Sequence, residues 1–109
     1  MKHLILIAAL VFSSVAASPP PDPESRSAAI DNYAFKPPTI TVCAGHAVTW
    51  TNKDDDPHTV TATDGAFDSK GLGQGDTFKR TFDKAGTYAY FCKAHPYMKG
   101  TVIVKECGQ

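Results

Sequence analysis

Apolar residues recur at every second position, in short bursts, along most of this 109-residue chain. Ile40 and Val42 alternate with threonines, Val48 and Trp50 do the same, and Val60, Phe78, Phe82, Tyr88, Tyr90, Val102 and Val104 continue the pattern. Such alternation places one row of side chains on an apolar face and the other in water, as in half-buried strands. Turn-forming residues separate the bursts at Pro37-Pro38, Ala44-Gly45, Asp56-Pro57, Asp64-Gly65, Gly71 to Asp76, Lys84-Ala85-Gly86 and Pro96. Past the first residues, no window of a dozen carries an apolar face at helical spacing. Six to eight short strands divided by turns predict an all-β sandwich or barrel, rich in antiparallel pairs.

The beginning of the chain follows another pattern. MKHLILIAALVFSSVAAS combines a basic start at Lys2, an apolar run from Leu4 to Phe12 and small residues with Ala17 suited to cleavage. Residues 1–17 therefore read as a secretory signal peptide. The apolar run falls short of the roughly 18 residues that a membrane-spanning helix needs, so no membrane span is expected once the leader is removed. SPPPDPESRS, residues 18–27, has proline and serine without periodicity and reads as an extended spacer. Residues 28–109 are expected to form the folded domain.

Charge narrows the partners. Lys2 is the one charged side chain in the leader, which leaves 10 basic against 11 acidic residues and a formal charge of −1. Near-neutrality with interspersed lysines and aspartates argues against nucleic acid, whose binding needs clustered cations to neutralise phosphates. Asp54, Asp55 and Asp56 form the one like-charge run and read as a solvated loop. They lack the glycine and distant glutamate of a calcium-binding EF-hand loop. GLGQGD lacks the order and context of a nucleotide-binding loop and reads as a turn.

Cysteine parity then points to chemistry. An exported chain meets an oxidising compartment, where thiols pair, yet Cys43, Cys92 and Cys107 make an odd number. If Cys92 is used by a metal, Cys43 and Cys107 remain to form a disulfide. In YFCKAHPYM, Cys92, His95 and Met98 fall three residues apart. Tyr88, Tyr90 and Cys92 share one face of a strand, and a turn stiffened by Pro96 carries the other two donors. His58, beside Pro57 in the loop after AVTWTN, is the candidate fourth donor. His46 lies in the turn before that strand, at the opposite end, and reads as a surface residue. Two imidazoles, a thiolate and a thioether suit neither calcium nor magnesium, which want oxygen, nor structural zinc, which does not seek thioether. Two histidines and a cysteine with a long axial methionine are the pattern of a blue-copper site.

ITVCAGHAVTWTNKDDDPHTV and FKRTFDKAGTYAYFCKAHPYMKGTVIV resemble small blue copper proteins of the cupredoxin, or plastocyanin-like, family, with the short ligand loop of the amicyanins. The resemblance runs from about Ile30 to Lys105. It implies a Greek-key β-sandwich of about eight strands, with one copper ion held by His58, Cys92, His95 and Met98 near one end. It also implies that Cys43 and Cys107 meet at the pole remote from copper. In the family, a side chain at the position of Asn52 ties the first-histidine loop to a hydroxyl residue after the cysteine. Lys93 stands there and has no hydroxyl, so that tie is not expected, while a backbone donor to the sulfur can remain.

The resemblance further implies a carrier of single electrons that cycles between Cu(I) and Cu(II) as a monomer. Transient redox partners would meet an apolar patch around His95, to which Pro57, Pro96 and Tyr97 contribute. Copper oxidases and nitrite reductases relay electrons through histidines beside the cysteine. Phe91 and Lys93 flank Cys92 here, so no enzyme is expected. Delivery of copper, or resistance to it, uses the same ligands and is the competing expectation. Leader and family together suggest the periplasm, with general secretion as the alternative.

Overall fold

The computed structural model describes residues 25–108. Among them are eight strands: β1 (Arg26–Ile30), β2 (Phe35–Lys36), β3 (Thr39–Cys43), β4 (His46–Asn52), β5 (Thr61–Ala62), β6 (Thr77–Phe82), β7 (Gly86–Phe91) and β8 (Lys99–Lys105). They form two four-stranded sheets, ordered β2-β1-β4-β6 and β3-β8-β7-β5. The expected all-β sandwich is the observed architecture, and no described helix is long and apolar enough to cross a membrane. The expected leader, and residues 18–24 of the expected spacer, lie outside the described residues. β1 begins at Arg26, so the first strand takes in Arg26 and Ser27 from the stretch read as spacer.

Period-two alternation explains what each sheet hides. Ile40 and Val42 of β3, Val48 and Trp50 of β4, Phe82 of β6, Tyr90 of β7 and Val102 and Val104 of β8 are all buried between the sheets. Phe78 and Tyr88 pack against that core from its margin. Trp50 is the hub, with ring centroids of Tyr90 at 5.3 Å and Phe78 at 5.8 Å. Its indole N–H donates to the Tyr90 hydroxyl at 3.2 Å, which satisfies two polar groups that burial would otherwise leave without partners. Burial pushes the Tyr90 hydroxyl up to about 12, so it stays neutral.

Strand directions fix where chemistry can gather. β1 runs parallel to β4, pairing Ile30 with Asn52, and β4 leads into the loop that carries His58. β7 is antiparallel to β8, pairing Phe91 with Lys99, so Cys92 and Met98 flank one sheet end. The β1–β2 turn, the His58 loop and the 92–98 loop therefore share one pole. His46 opens β4 opposite Phe82, at the other pole. There, β3 runs parallel to β8, pairing Cys43 with Lys105, and the expected disulfide joins Cys43 to Cys107 with Cα atoms 5.4 Å apart.

One glycine is dictated by packing. Gly100 faces Tyr90 across the β7–β8 ladder, and a Cβ there would collide with the Tyr90 ring and hydroxyl. Tyr90 cannot yield, because it is 1 % exposed and holds the indole of Trp50. Gly100→Ala is therefore expected to cost about 1–3 kcal/mol, the usual penalty for overpacking a dense core. Denaturant unfolding of the metal-free protein checks this, and a loss below about 0.5 kcal/mol would contradict it.

Candidate metal centre

The ligand loop leaves β7 at Cys92 and returns to β8 at Met98 through three main-chain hydrogen bonds. Cys92 N–H donates to the Met98 carbonyl (3.1 Å), His95 N–H to Cys92 (3.2 Å) and Met98 N–H to His95 (2.8 Å). A three-residue spacing lets this compact turn close on itself while its donors stay at one end of the sheet. On the facing loop, His58 and Leu72 exchange backbone bonds of 3.1 and 2.8 Å, which secures the first histidine to the sequence around Gly71.

These two loops bring three of the four expected donors together. Nδ1 of His58 and Nδ1 of His95 each lie 3.7 Å from Sγ of Cys92. One ligand atom from each of His58, Cys92 and His95 falls within 4.8 Å of the others. An ion at about 2.0 Å from nitrogen and about 2.3 Å from sulfur, with bond angles near 120°, requires a similar sulfur–nitrogen span of roughly 3.7 Å. His58 and Cys92 are fully buried and His95 is half-buried. Cys92 is the free cysteine among the described residues, so its sulfur is available as a donor. Met98, the fourth expected donor, is 2 % exposed and packs in the core beneath the loop.

Asn52 does not make the tie that the family position suggests. Its side-chain amide donates to the carbonyls of Asp56 (2.9 Å) and Leu72 (2.8 Å), and its oxygen accepts from Asp54 N–H (2.9 Å). It thus braces the first-histidine loop from inside, without reaching Lys93. Thr59 joins the two loops instead. Its N–H donates to Cys92 Sγ at 3.4 Å, and its hydroxyl accepts from Lys93 N–H at 2.9 Å. The backbone donor to sulfur is present, and a threonine after the histidine supplies the hydroxyl that the residue after the cysteine lacks. Lys93 turns its ammonium to Asp68 at 2.6 Å, and this contact, ahead of the Lys70 N–H, brings the Asp68 carboxyl down to about 2.

Two further groups escaped the sequence reading. The carboxylate of Asp54, read only as part of a solvated run, accepts from Nε2 of His58 at 2.9 Å and from the N–H groups of Asn32 (2.8 Å) and Tyr33 (2.9 Å). The Tyr33 N–H is the strongest influence holding that carboxyl below its ordinary range. A carboxylate on the outer nitrogen places the proton there and turns Nδ1 of His58, as an acceptor, toward the sulfur. Tyr33 itself lies edge-on against both histidine rings and hydrogen-bonds Asp56, which pushes its hydroxyl up to about 12. A carboxylate four residues before a histidine was the available signal for Asp54; Tyr33 gave none.

Outside the pocket, Pro57, Pro96 and Tyr97 are exposed. Tyr97, at 69 %, is the exposed large hydrophobic side chain among the described residues, with its ring 6.2 Å from that of His95.

Comparison with known proteins finds relatives of the same fold. The family model for the cupredoxin-like domain matches residues 3–104. Amicyanin-alpha of Methylorubrum extorquens is 37 % identical over 86 residues, covering 74 % of this chain and 72 % of its own. Amicyanin of Paracoccus versutus is 36 % identical over 81 residues, 70 % of this chain, and the match spans 61 % of that relative's length. A solved amicyanin variant in its Cu(I) form superposes with a TM-score of 0.71 at 29 % identity, covering 74 % of this chain and 82 % of its own. The chain belongs to the cupredoxin-like domain family.

Proposed function

We propose that this chain is a type 1 copper protein that carries single electrons between redox partners, with His58, Cys92, His95 and Met98 as its ligands. The observation that carries the reading is the convergence of two imidazole nitrogens and one buried thiol within 4.8 Å of one another. A bound copper ion would supply the one-electron Cu(I)/Cu(II) couple, for which thiolate and imidazole donors are a compromise acceptable to both states.

The chain's own part is to keep its donors still. Low cost of transfer requires that ligands move little, and the main-chain bonds among Cys92, His95 and Met98 restrict one loop while Asn52 and Thr59 restrict the other. Burial of His58 and Cys92 slows exchange of an ion, which favours an electron carrier over a copper donor. Half-buried His95, with the exposed Tyr97 ring 6.2 Å away and Pro57 and Pro96 also exposed, is the place for partners to dock briefly over a small apolar contact. We assign the protein to the periplasm, in keeping with the leader-like start and with a disulfide that persists in oxidising compartments. No catalysis is proposed.

Copper loading followed by a visible spectrum and voltammetry tests the reading. An intense blue band, a reversible one-electron wave and retention of copper against a chelator are expected. A colourless complex, or one that gives up its copper within a single cycle, would overturn it.

A further inference from the structure

The turn between β1 and β2 adopts a backbone that its sequence does not favour. Asp31 and Ala34 exchange backbone hydrogen bonds of 2.9 and 3.2 Å, which leaves Asn32 and Tyr33 as the connection, at φ values of 55° and 59°. A two-residue hairpin connection with both φ values positive favours Asn-Gly, because glycine carries no Cβ to clash. Here a tyrosine occupies the glycine's place. Residues held in sparsely populated backbone regions persist where their surroundings over-determine them, and they cluster at functional sites.

This one lands on the donors. The Tyr33 ring stands perpendicular to both imidazoles, with centroids 5.2 Å from His58 at 89° and 5.0 Å from His95 at 90°. Its hydroxyl donates to Asp56 and its N–H to Asp54, which also accepts from His58. Tyr33 is thus fastened at both ends to the first-histidine loop while its ring reaches the histidine of the other loop. Edge-to-face contacts are directional, so they resist rotation of the rings they touch.

We propose that Tyr33 is a positioning residue that clamps the imidazoles of His58 and His95 in one arrangement. The clamp exists with or without a redox-active ion; its consequence for electron transfer rests on the function proposed above. In that setting it keeps the more exposed ligand, His95, from swinging when the oxidation level changes.

Two variants separate the clamp from a merely structural role. Tyr33→Gly installs the residue the turn prefers, so the fold is retained while the ring is lost; Tyr33→Phe keeps the ring and loses the hydroxyl. The first readout is the NMR line shape of the His58 and His95 ring protons in zinc(II)-loaded protein. Wild type and Tyr33→Phe are expected to give sharp signals, and Tyr33→Gly to broaden His95 through exchange between ring orientations. The second readout is electron self-exchange of copper-loaded protein, expected to fall about tenfold in Tyr33→Gly and to recover to within about twofold in Tyr33→Phe, in line with losses at groups that orient ligands. Sharp His95 signals in Tyr33→Gly, or failure of Tyr33→Phe to restore them, overturns the clamp. A wild-type protein whose rings are ordered by zinc and loosened by Tyr33→Gly, yet which cannot cycle copper, supports the clamp and removes the electron-carrier reading.

Discussion

Cys92→Ser is expected to abolish the blue colour of the copper-loaded protein while leaving the sandwich folded. The thiolate is the soft anionic donor of the set, and a hydroxyl replaces it in shape but not in softness or ease of ionisation. Copper affinity should drop by more than the roughly 10- to 100-fold that loss of an orienting group alone costs. Cys92 is fully buried and accepts the Thr59 N–H. A serine hydroxyl can accept the same bond, so metal-free stability should change by no more than about 1–2 kcal/mol. Visible absorption with copper titration and circular dichroism decide the matter. A variant as strongly blue as the parent would mean that the sulfur is not a ligand.

The second large effect is one of stability alone. Replacing Cys43 and Cys107 together by serine removes a cross-link that spans 64 positions. On a chain-entropy argument this costs about 4 kcal/mol at 25 °C. That is a large share of the roughly 5–15 kcal/mol available to a domain. The bond lies at the pole opposite the donors, so the visible spectrum of copper-loaded protein should survive unchanged below the lowered melting temperature. Guanidinium unfolding measures the loss, and a change under about 1 kcal/mol would show that the native fold does not depend on the bond.

Which parts could be read beforehand follows from how far apart the interacting residues lie in sequence. Cys92 and His95 share one turn, so their spacing alone announced that they would meet. His58 had to be inferred across the sheet, and it was accessible because AVTWTN marks a strand whose exit must face the same pole. The inner strands declared themselves by Val, Ile, Trp and Tyr at period two. β1 did not, since of its two buried positions one is the small Ala28 and Ile30 alone is a large apolar residue. The β1–β2 turn was still less visible, for Asn-Tyr carries none of the glycine signal that a positive-φ connection normally shows. Without that hairpin Tyr33 is not legible, whereas Asp54, four residues before His58, carries a signal of its own. Asn52 belongs to the first-histidine loop as the resemblance implies, but its actual acceptors, the Asp56 and Leu72 carbonyls, are main-chain groups that no side-chain pattern reveals.

The parallel pairing of β1 with β4 and of β3 with β8 governs how the molecule can be held. Arg26 pairs with Val48 near the start of β4, and Cys107 follows Lys105, the end of β8, which is about 23 Å from Met98 at roughly 3.3 Å per strand residue. Both described ends of the chain thus emerge on the side away from the donors. A surface, linker or electrode attached through either end would leave the His95 face pointing outward, free to exchange electrons with whatever diffuses past.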